Sequence, residues 1–480
     1  MACEKNIVAQ IVEQRKKDIA ERGYNFGYEI PKKRERPVFP FMQNRGVILE
    51  VKRASPSKGD IAPQLNAAKT ALTYAECGAS AISVLTEENY FKGSIADLIA
   101  VCKAVDNAAV LRKDFLIDEE EIQIAYLCGA DAVLLIAGIL EKEKLESMIK
   151  KCASLGIKAF VEIRTLSDAE KINSLKEYSD TIVCGINSRN LKTFDVDTLV
   201  PAMYKNLLGT KVVFESGLLS SNACEKAGEM GFTGILLGEG AARNPDMAKE
   251  FVISFMNAQQ NANGIFWTRV AQKIYSNKKN NRPLVKLCGL TNCEDAVYAA
   301  KAGADFCGFI LSDGYSRSIS LQTAEKCCRE VKNTSDAITV AVLTELNNER
   351  AESVIKLVRE NKIDCIQVHG IKYKEAEKIL EGIPHYYAVC GDGESLTKKT
   401  EDLSFFGEPR FIQDSKNHEY KKPANGELWL AGGITPENVF ELVQKFNPEL
   451  IDISGGTETV TGKKDYGKID RIFEKISYGE

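Results

Sequence analysis

Short runs of β-branched and apolar residues, bounded by Gly, Asp and Asn, recur along the first half of the chain. Each is followed by a stretch whose apolar positions fall three and four apart. The runs are VILEVKR (47–53), AISVLT (81–86), AAVLRKD (108–114), DAVLLIA (131–137), KAFVEIR (158–164), TIVCGIN (181–187), KVVFESG (211–217) and GILLGEG (234–240). Their starts lie 23 to 34 residues apart, the pace of a strand, a helix and two turns. The pattern then repeats with VKLCGLT (285–291), FCGFILS (306–312), ITVAVLT (338–344), CIQVHG (365–370), YYAVCG (386–391), RFIQDS (410–415), LWLAGG (428–433) and LIDISGG (450–456). The tags ECGAS, LCGAD and KAGAD reuse one helix-end-to-strand turn in both halves, with Gly where a helix C-cap needs it.

Two sets of eight βα units predict an α/β chain of two tandem (β/α)8 barrels. An open doubly wound sheet is the competing architecture, but it calls for a glycine-rich turn after its first strand. No GxGxxG follows any early strand, and the nearest approach, GEGAAR (238–243), comes after the eighth, where barrels bind phosphate. The predicted organisation is a first barrel over 1–256, a linker over 257–283 and a second barrel over 284–480. In the first unit NIVAQIVEQRKKDIAERG reads as one amphipathic helix and PKKRERP as a solvated basic loop. The linker is polar and Asn-rich, around a short apolar piece containing Trp267.

With 44% hydrophobic and 27% charged residues among 480, each half can bury a full core without disulfide or metal staples. Sixty-three Lys+Arg against 67 Asp+Glu leave a formal charge of -4, no field for a polyanion, so nucleic acid is not an expected partner. The chain turns polar at its start, and its longest apolar stretch, Ala132 to Leu140, is too short to span a bilayer; a soluble, unsecreted protein is expected. Fourteen Cys without a CxxC pair, several inside apolar runs (Cys184, Cys307, Cys365, Cys390), fit reduced thiols packed as small hydrophobes in a cytoplasmic protein. The three histidines are His369, His385 and His418, so acid-base chemistry in the first 368 residues falls to Lys, Glu, Asp, Cys or Tyr. A catalytic zinc site of the usual His-bearing kinds is not expected there.

In a barrel, functional side chains sit at the C-terminal ends of the strands. The first set of ends carries Glu50 and Lys52, Lys113 and Asp114, Glu162 and Arg164, Asn187 and Arg189, Glu215 and Ser216, and Gly238 with Glu239. Strand alternation puts Glu50 with Lys52, and Glu162 with Arg164, on shared faces. Lysines and carboxylates converging in a His-free pocket can supply a general acid and a general base, unless they merely form a salt-bridged lid on a structural barrel. The turns ESGLLS and LGEGAAR present backbone N–H groups that suit a phosphate. Sugar-phosphate chemistry is the reading of the residues alone, with a Schiff-base aldolase using Lys113 as one alternative.

The run ILEVKRASPSKGDI (48–61), with TEENYFKGS, LRKDF, FVEIR, GINSRNLKTF and ESGLLS, closely resembles indole-3-glycerol phosphate synthase over roughly residues 1 to 256. The resemblance implies closure of a carboxyphenylamino-deoxyribulose phosphate to indole glycerol phosphate with loss of CO2 and water, without metal or organic cofactor. By it, Lys113 is the general acid on the substrate carbonyl, Glu162 assists dehydration, and Glu50 and Lys52 organise the substrate and its departing carboxylate. Asn187 and Arg189 hold the intermediate, with Glu215 beside them in the substrate site. Ser55, Ser216, Gly217 and Gly238 contact phosphate and hydroxyls, and Phe91 and Phe115 wall the anthranilate pocket.

The second barrel's ends carry Cys288, Arg317, Gln367, His369, Asp414, Gly432, Gly433, Asp452 and Ser454. A Cys beside Gly289 and near Lys286 can ionise more readily than a core thiol. The segments KLCGLTN, GYSRSIS, IQVHG, RFIQDS, LAGGI and DISGGTE resemble phosphoribosylanthranilate isomerase over about 284 to 480. That resemblance implies an Amadori rearrangement, with Asp414 as general acid on the ring oxygen and Cys288 as general base at the sugar C2. Arg317 would pair with the anthranilate carboxylate, Gln367, His369 and Asp452 would line the sugar, and Gly432, Gly433, Ser454 and Gly455 would cradle phosphate. Here DISGGTE departs from the family's DVSSGVE, with Gly455 for the second Ser, which puts one phosphate hydroxyl contact in question, although a backbone N–H could replace it. The two implied reactions are consecutive, on small sugar phosphates carrying an anthranilate ring. A fused pair needs no partner subunit, so a monomer is expected; the alternative is a second barrel that only binds or stabilises.

Overall fold

The computed structural model describes residues 7–243 and 245–477. The chain divides into two compact units, Met1–Gln259 and Gln260–Glu480. Each contains one closed barrel of eight parallel strands, which excludes the doubly wound sheet. In the first unit the strands are β1 (Gly46–Val51), β2 (Ala81–Leu85), β3 (Ala109–Lys113), β4 (Ala132–Ile136), β5 (Lys158–Ile163), β6 (Ile182–Asn187), β7 (Val212–Glu215) and β8 (Gly234–Leu237). Closure is made by β1 against β8, Gly46 pairing with Gly234 and Leu49 with Leu237. In the second unit they are β9 (Leu284–Leu287), β10 (Phe306–Ile310), β11 (Ile338–Leu343), β12 (Cys365–His369), β13 (His385–Cys390), β14 (Phe411–Asp414), β15 (Trp429–Ala431) and β16 (Leu450–Ile453), closed by β9 on β16. Nearly every strand residue is buried, as expected of parallel strands covered by helices on one side and packed barrel interior on the other.

The repeated turn has one conformation. Gly78, Gly129 and Gly303 take φ of 93°, 104° and 106°, a left-handed state that a side chain would strain. Two residues later the aspartates of the GAD tags reach the preceding strand: Asp131 accepts from Val110 N at 2.8 Å and Asp305 from Val285 N at 2.9 Å.

Two segments differ from the reading of the sequence, and one expected helix is found. The PKKRERP loop is not a freely solvated one, because Arg34 donates to Ala130 O at 2.6 Å and Arg36 to Ala108 O at 3.1 Å, and both pair with Asp131. These cations take up carbonyls in the turns that lead into β4 and β3. The expected N-terminal helix is α1 (Ile7–Arg22); Asn6 lies outside the described residues. Its Arg15 is buried, bonded to Asp114 at 2.8 Å and to Glu121, which fixes α1 against the C-terminal end of β3.

The second difference is the segment read as a linker. Most of it is helix α2 (Ala262–Asn277), capped by the Asn261 side chain accepting from Gly264 N, and it belongs to the second unit. Phe266, Trp267, Val270, Ala271 and Ile274 are buried along one face. Trp267 packs 6.3 Å from Trp429 and Phe266 stacks 6.5 Å from Tyr386, at the starts of β15 and β13, so α2 covers the N-terminal end of the second barrel. Asparagines at both ends make the segment look like a loop, while the apolar stripe between them is long enough to bury. Among the described residues no helix is long and apolar enough to cross a membrane. The thirteen described cysteines are free, and Cys184, Cys307 and Cys365 are buried as expected. Cys390 is not a core thiol: it sits half-buried at the end of β13. Cys3 lies outside the described residues.

Candidate active sites

At the C-terminal end of the first barrel one cavity is lined by Glu50, Lys52, Ser55, Phe91, Lys113, Phe115, Glu162, Asn187, Arg189, Glu215, Ser216, Gly217 and Gly238, the whole expected set. Lys113, the last residue of β3, is its centre. Its Nζ lies 2.8 Å from Glu215 Oε2 and 3.5 Å from Glu162 Oε2. Burial alone would lower the Lys113 ammonium, but Glu215, Glu162 and Glu50 outweigh it and hold the pKa above the ordinary lysine value. Glu50 and Lys52, two apart on β1 and its continuation, meet at 2.6 Å. Burial opposes ionisation of Glu50, yet Lys52 and Lys113 keep its carboxyl below the ordinary range. Glu162 Oε1 accepts from Asn187 Nδ2 at 3.1 Å.

Space for this cluster is made by glycine. A Cβ on Gly185 would strike the Glu215 carboxylate, and one on Gly238 would strike Glu50 and lie 2.9 Å from Lys52 Nζ. Gly238→Ala should therefore displace the Glu50–Lys52 pair. Since a misplacement of about 1 Å can cost about 100-fold, steady-state kinetics should show the first barrel's activity falling by about that factor, with the second barrel's unchanged.

Burial, with Glu162 adding to it, pushes the Glu215 carboxyl up to about 7 although Lys113 opposes the shift. A carboxyl raised on folding supports the fold fully below its unfolded pKa of about 4.3 and loses that support as pH rises through about 7. Wild type should therefore lose stability relative to Glu215→Gln over that window, on the order of 3 kcal/mol. Denaturant melts of both proteins at acid and at mildly alkaline pH check this; a constant gap between them would contradict it.

The apolar side of the cavity is built by Phe91 and Phe115, ring centroids 6.1 Å apart, with Leu134, Ile136 and Leu236. Ile7, Val8 and Ile11 of α1 join them, a contribution the sequence reading did not anticipate. Ser216 and Gly217 take φ of 69° and 79° after β7, and Ser220 caps the helix Ser221–Glu229 that follows. Two expected neighbours give their side chains to other partners, although Asp114 also lines the cavity. Arg164 lies just past the end of β5 and donates to the carbonyls of Asn187 and Ser188, holding the loop that presents Asn187. Asp114 faces Arg15 and Arg112.

The second barrel opens on a cavity lined by Cys288, Gln367, His369, Asp414, Gly432, Gly433, Asp452, Ser454 and Gly455. Gly308 on β10 leaves room for Cys288 and Lys286; a Cβ there would lie 2.8 Å from Cys288 Sγ. Lys286, wholly buried, pairs with Asp452 at 2.7 Å across adjacent strands. Burial pushes the Cys288 thiol up from its ordinary value, with Lys286 drawing it back, so the expected ease of ionisation is only the lysine's share. Burial also raises the Asp414 carboxyl, against His369, and lowers His369, against Asp414. Gly432 and Gly433 take φ of 105° and 60°, and a Cβ on Gly432 would strike Ser415 O.

Arg317 does not line this cavity. Its guanidinium is forked onto Glu458, both contacts 2.8 Å, a pairing across 141 residues that sequence spacing does not reveal. Lys464 was also unforeseen: its Nζ donates to Cys288 O at 2.8 Å and Ser454 O at 2.9 Å, tying the strand bearing the thiol to the loop expected to hold phosphate. Lys286 carries a signal, a lysine inside the fully buried run LVKL; Lys464, flanked by exposed and half-buried residues, carries none.

Closed parallel barrels that gather ionisable side chains at the C-terminal strand ends and follow their last strands with glycine turns are (β/α)8-barrel enzymes. Residues 8–252 match the family model of indole-3-glycerol phosphate synthase, and residues 285–475 that of N-(5'-phosphoribosyl)anthranilate isomerase. The chain belongs to the indole-3-glycerol phosphate synthase family and carries the isomerase domain behind it. It is 31% identical to a multifunctional tryptophan biosynthesis protein of Schizosaccharomyces pombe, covering 90% of this chain and 59% of that one. It is 38% identical to indole-3-glycerol phosphate synthase of Bacillus cereus, covering 51% of this chain and 96% of that one. The solved phosphoribosylanthranilate isomerase of Thermotoga maritima is 27% identical, covers 40% of this chain and 98% of its own, and superposes with a TM-score of 0.35. The chain spans 59 to 63% of the length of the three multifunctional relatives it matches.

Proposed function

We propose that the chain catalyses two consecutive steps of tryptophan biosynthesis, as a monomer in a reducing cytoplasm and without a metal or organic cofactor. The second barrel opens the furanose of N-(5-phosphoribosyl)anthranilate and turns the aldose into a ketose. The first closes that ketose to indole-3-glycerol phosphate. The observation that carries the reading is Lys113 held as an ammonium between Glu215 and Glu162, beside the Phe91–Phe115 wall.

In the first site the anthranilate ring lies against the two phenylalanines, and Ser55, Ser216, Gly217 and Gly238 take the phosphate and hydroxyls. Lys113 gives its proton to the ketone oxygen as the aromatic carbon attacks, which forms the new C–C bond. Glu50 and Lys52 set the carboxylate that leaves as CO2, Asn187 and Arg189 hold the intermediate, and Glu162 assists loss of water. In the second site Asp414 protonates the ring oxygen and Cys288 takes the C2 proton, two tasks that require opposite protonation states in one cavity. Its raised carboxyl suits Asp414 to the acid role. Lys286, beside Cys288, stabilises the thiolate when it forms. Arg317 reaches the anthranilate carboxylate only by leaving Glu458.

The test supplies wild type with phosphoribosylanthranilate, and separately with the ketose, while following anthranilate and indole fluorescence. Turnover of both supports the two-step reading. Turnover of the ketose alone would make the second barrel a binding domain, with Gly455 the first suspect.

A further inference from the structure

His369, Cys390 and Asp414 are the last residues of β12, β13 and β14, three neighbouring strands, with Cys390 and Asp414 Cα partners in the ladder. The barrel brings a nitrogen, a sulfur and an oxygen donor to one spot. Cys390 Sγ lies 3.0 Å from His369 Nε2, His369 Nε2 lies 3.8 Å from Asp414 Oδ2, and the three donor atoms lie within 4.8 Å of one another. All three side chains are half-buried and so open to an entering ion.

We propose that His369, Cys390 and Asp414 form an inhibitory binding site for a thiophilic divalent cation of the zinc class at the mouth of the second barrel. Zinc bonds of about 2.0 to 2.3 Å in tetrahedral array set ligand atoms roughly 3.3 to 3.8 Å apart, so small side-chain shifts on a rigid strand-end frame suffice. Thiolate, imidazole and carboxylate together favour zinc over magnesium or calcium, which want oxygen alone. The thiol proton leaves to solvent on binding, and the fourth position takes water. His369 already has an outer partner: Gln367 Nε2 lies 3.2 Å from Nδ1, while Gln367 Oε1 accepts from Tyr386 OH at 3.0 Å. Rotating that amide presents its oxygen to Nδ1–H, as a metal on Nε2 requires, and leaves the tyrosine oxygen to accept from the amide nitrogen.

The cation converts Asp414 from a proton donor into a ligand, so isomerisation stops while the first barrel continues. This consequence rests on the acid role proposed for Asp414; the binding does not. The experiment titrates full-length protein, stripped with a chelator, with Co2+ and reads the thiolate-to-cobalt charge-transfer band and visible bands. Cys390→Ala and Cys390→Ser are run beside it, and isomerase activity is measured against added ZnCl2. Wild type should bind one more cobalt than either variant, with Zn2+ displacing it, and loss of one ligand should weaken zinc inhibition by about 100-fold or more. Basal isomerase activity in chelator should be the same in all three proteins. Coincident cobalt spectra of wild type and variants, or equal zinc sensitivity, would overturn the site. A cobalt difference in a protein without isomerase activity would leave the site standing and overturn the reading of Asp414.

Discussion

Lys113→Ala is expected to lower indole glycerol phosphate formation from the ketose by about 100- to 10,000-fold, the range of a positioned general acid, while isomerisation by the same molecule is unchanged. The effect is large because Lys113 is the cation at the centre of the carboxylates: Lys52 is held by Glu50, and the first 368 residues contain no histidine. The variant also leaves Glu215 and Glu162 without the cation between them, so both carboxylates lose their nearest positive charge. Lys113→Arg separates charge from acidity. It retains a cation for the two glutamates, but a guanidinium does not give up its proton, so stability should recover and turnover should not. Recovery of turnover in the arginine variant, or a loss under about tenfold in the alanine one, would remove Lys113 from the proton-transfer step. Single-turnover traces should show the loss in the chemical step, with ketose binding little altered.

The barrels and most of their mouths were legible in the sequence because a parallel barrel has few freedoms. Once strand starts recur with a βα pace, the C-terminal end of each strand is an address, and every residue that the synthase resemblance implies for the first site lines one cavity. What escaped depends on partners far away in sequence. The basic residues of PKKRERP read as solvated until the carbonyls at a helix end about a hundred residues later are seen beside them. Arg317 read as free for a ligand because nothing in GYSRSIS announces Glu458. The linker failed for a local reason: Asn261 is a helix cap, and caps and loops use the same residues. Cys390 resembled the other thiols, since an apolar run does not say which residue is its last one inside the core.

Asp414→Asn is the second large loss expected, again about 100- to 10,000-fold, now confined to isomerisation. Asparagine keeps the shape and can still meet His369, but it has no acidic proton for the furanose oxygen. The same variant should change the form of the pH profile. Burial raises the Asp414 carboxyl, so in wild type the acid form persists above the ordinary carboxylate range and activity falls on the alkaline side as the proton is lost. That limb should vanish from the residual activity of Asp414→Asn. Cys288→Ala should also stop isomerisation but should leave Asp414 able to protonate the ring oxygen, so the two variants fail at different points of one reaction. The pool that accumulates distinguishes the barrels: Lys113→Ala should fill with ketose when given phosphoribosylanthranilate, whereas Asp414→Asn should leave the starting aldose in place. Added ketose should pass through Asp414→Asn at the wild-type rate, because each barrel carries its own acid, its own anion cradle and its own strand ends. Loss of both activities in either variant would contradict that independence.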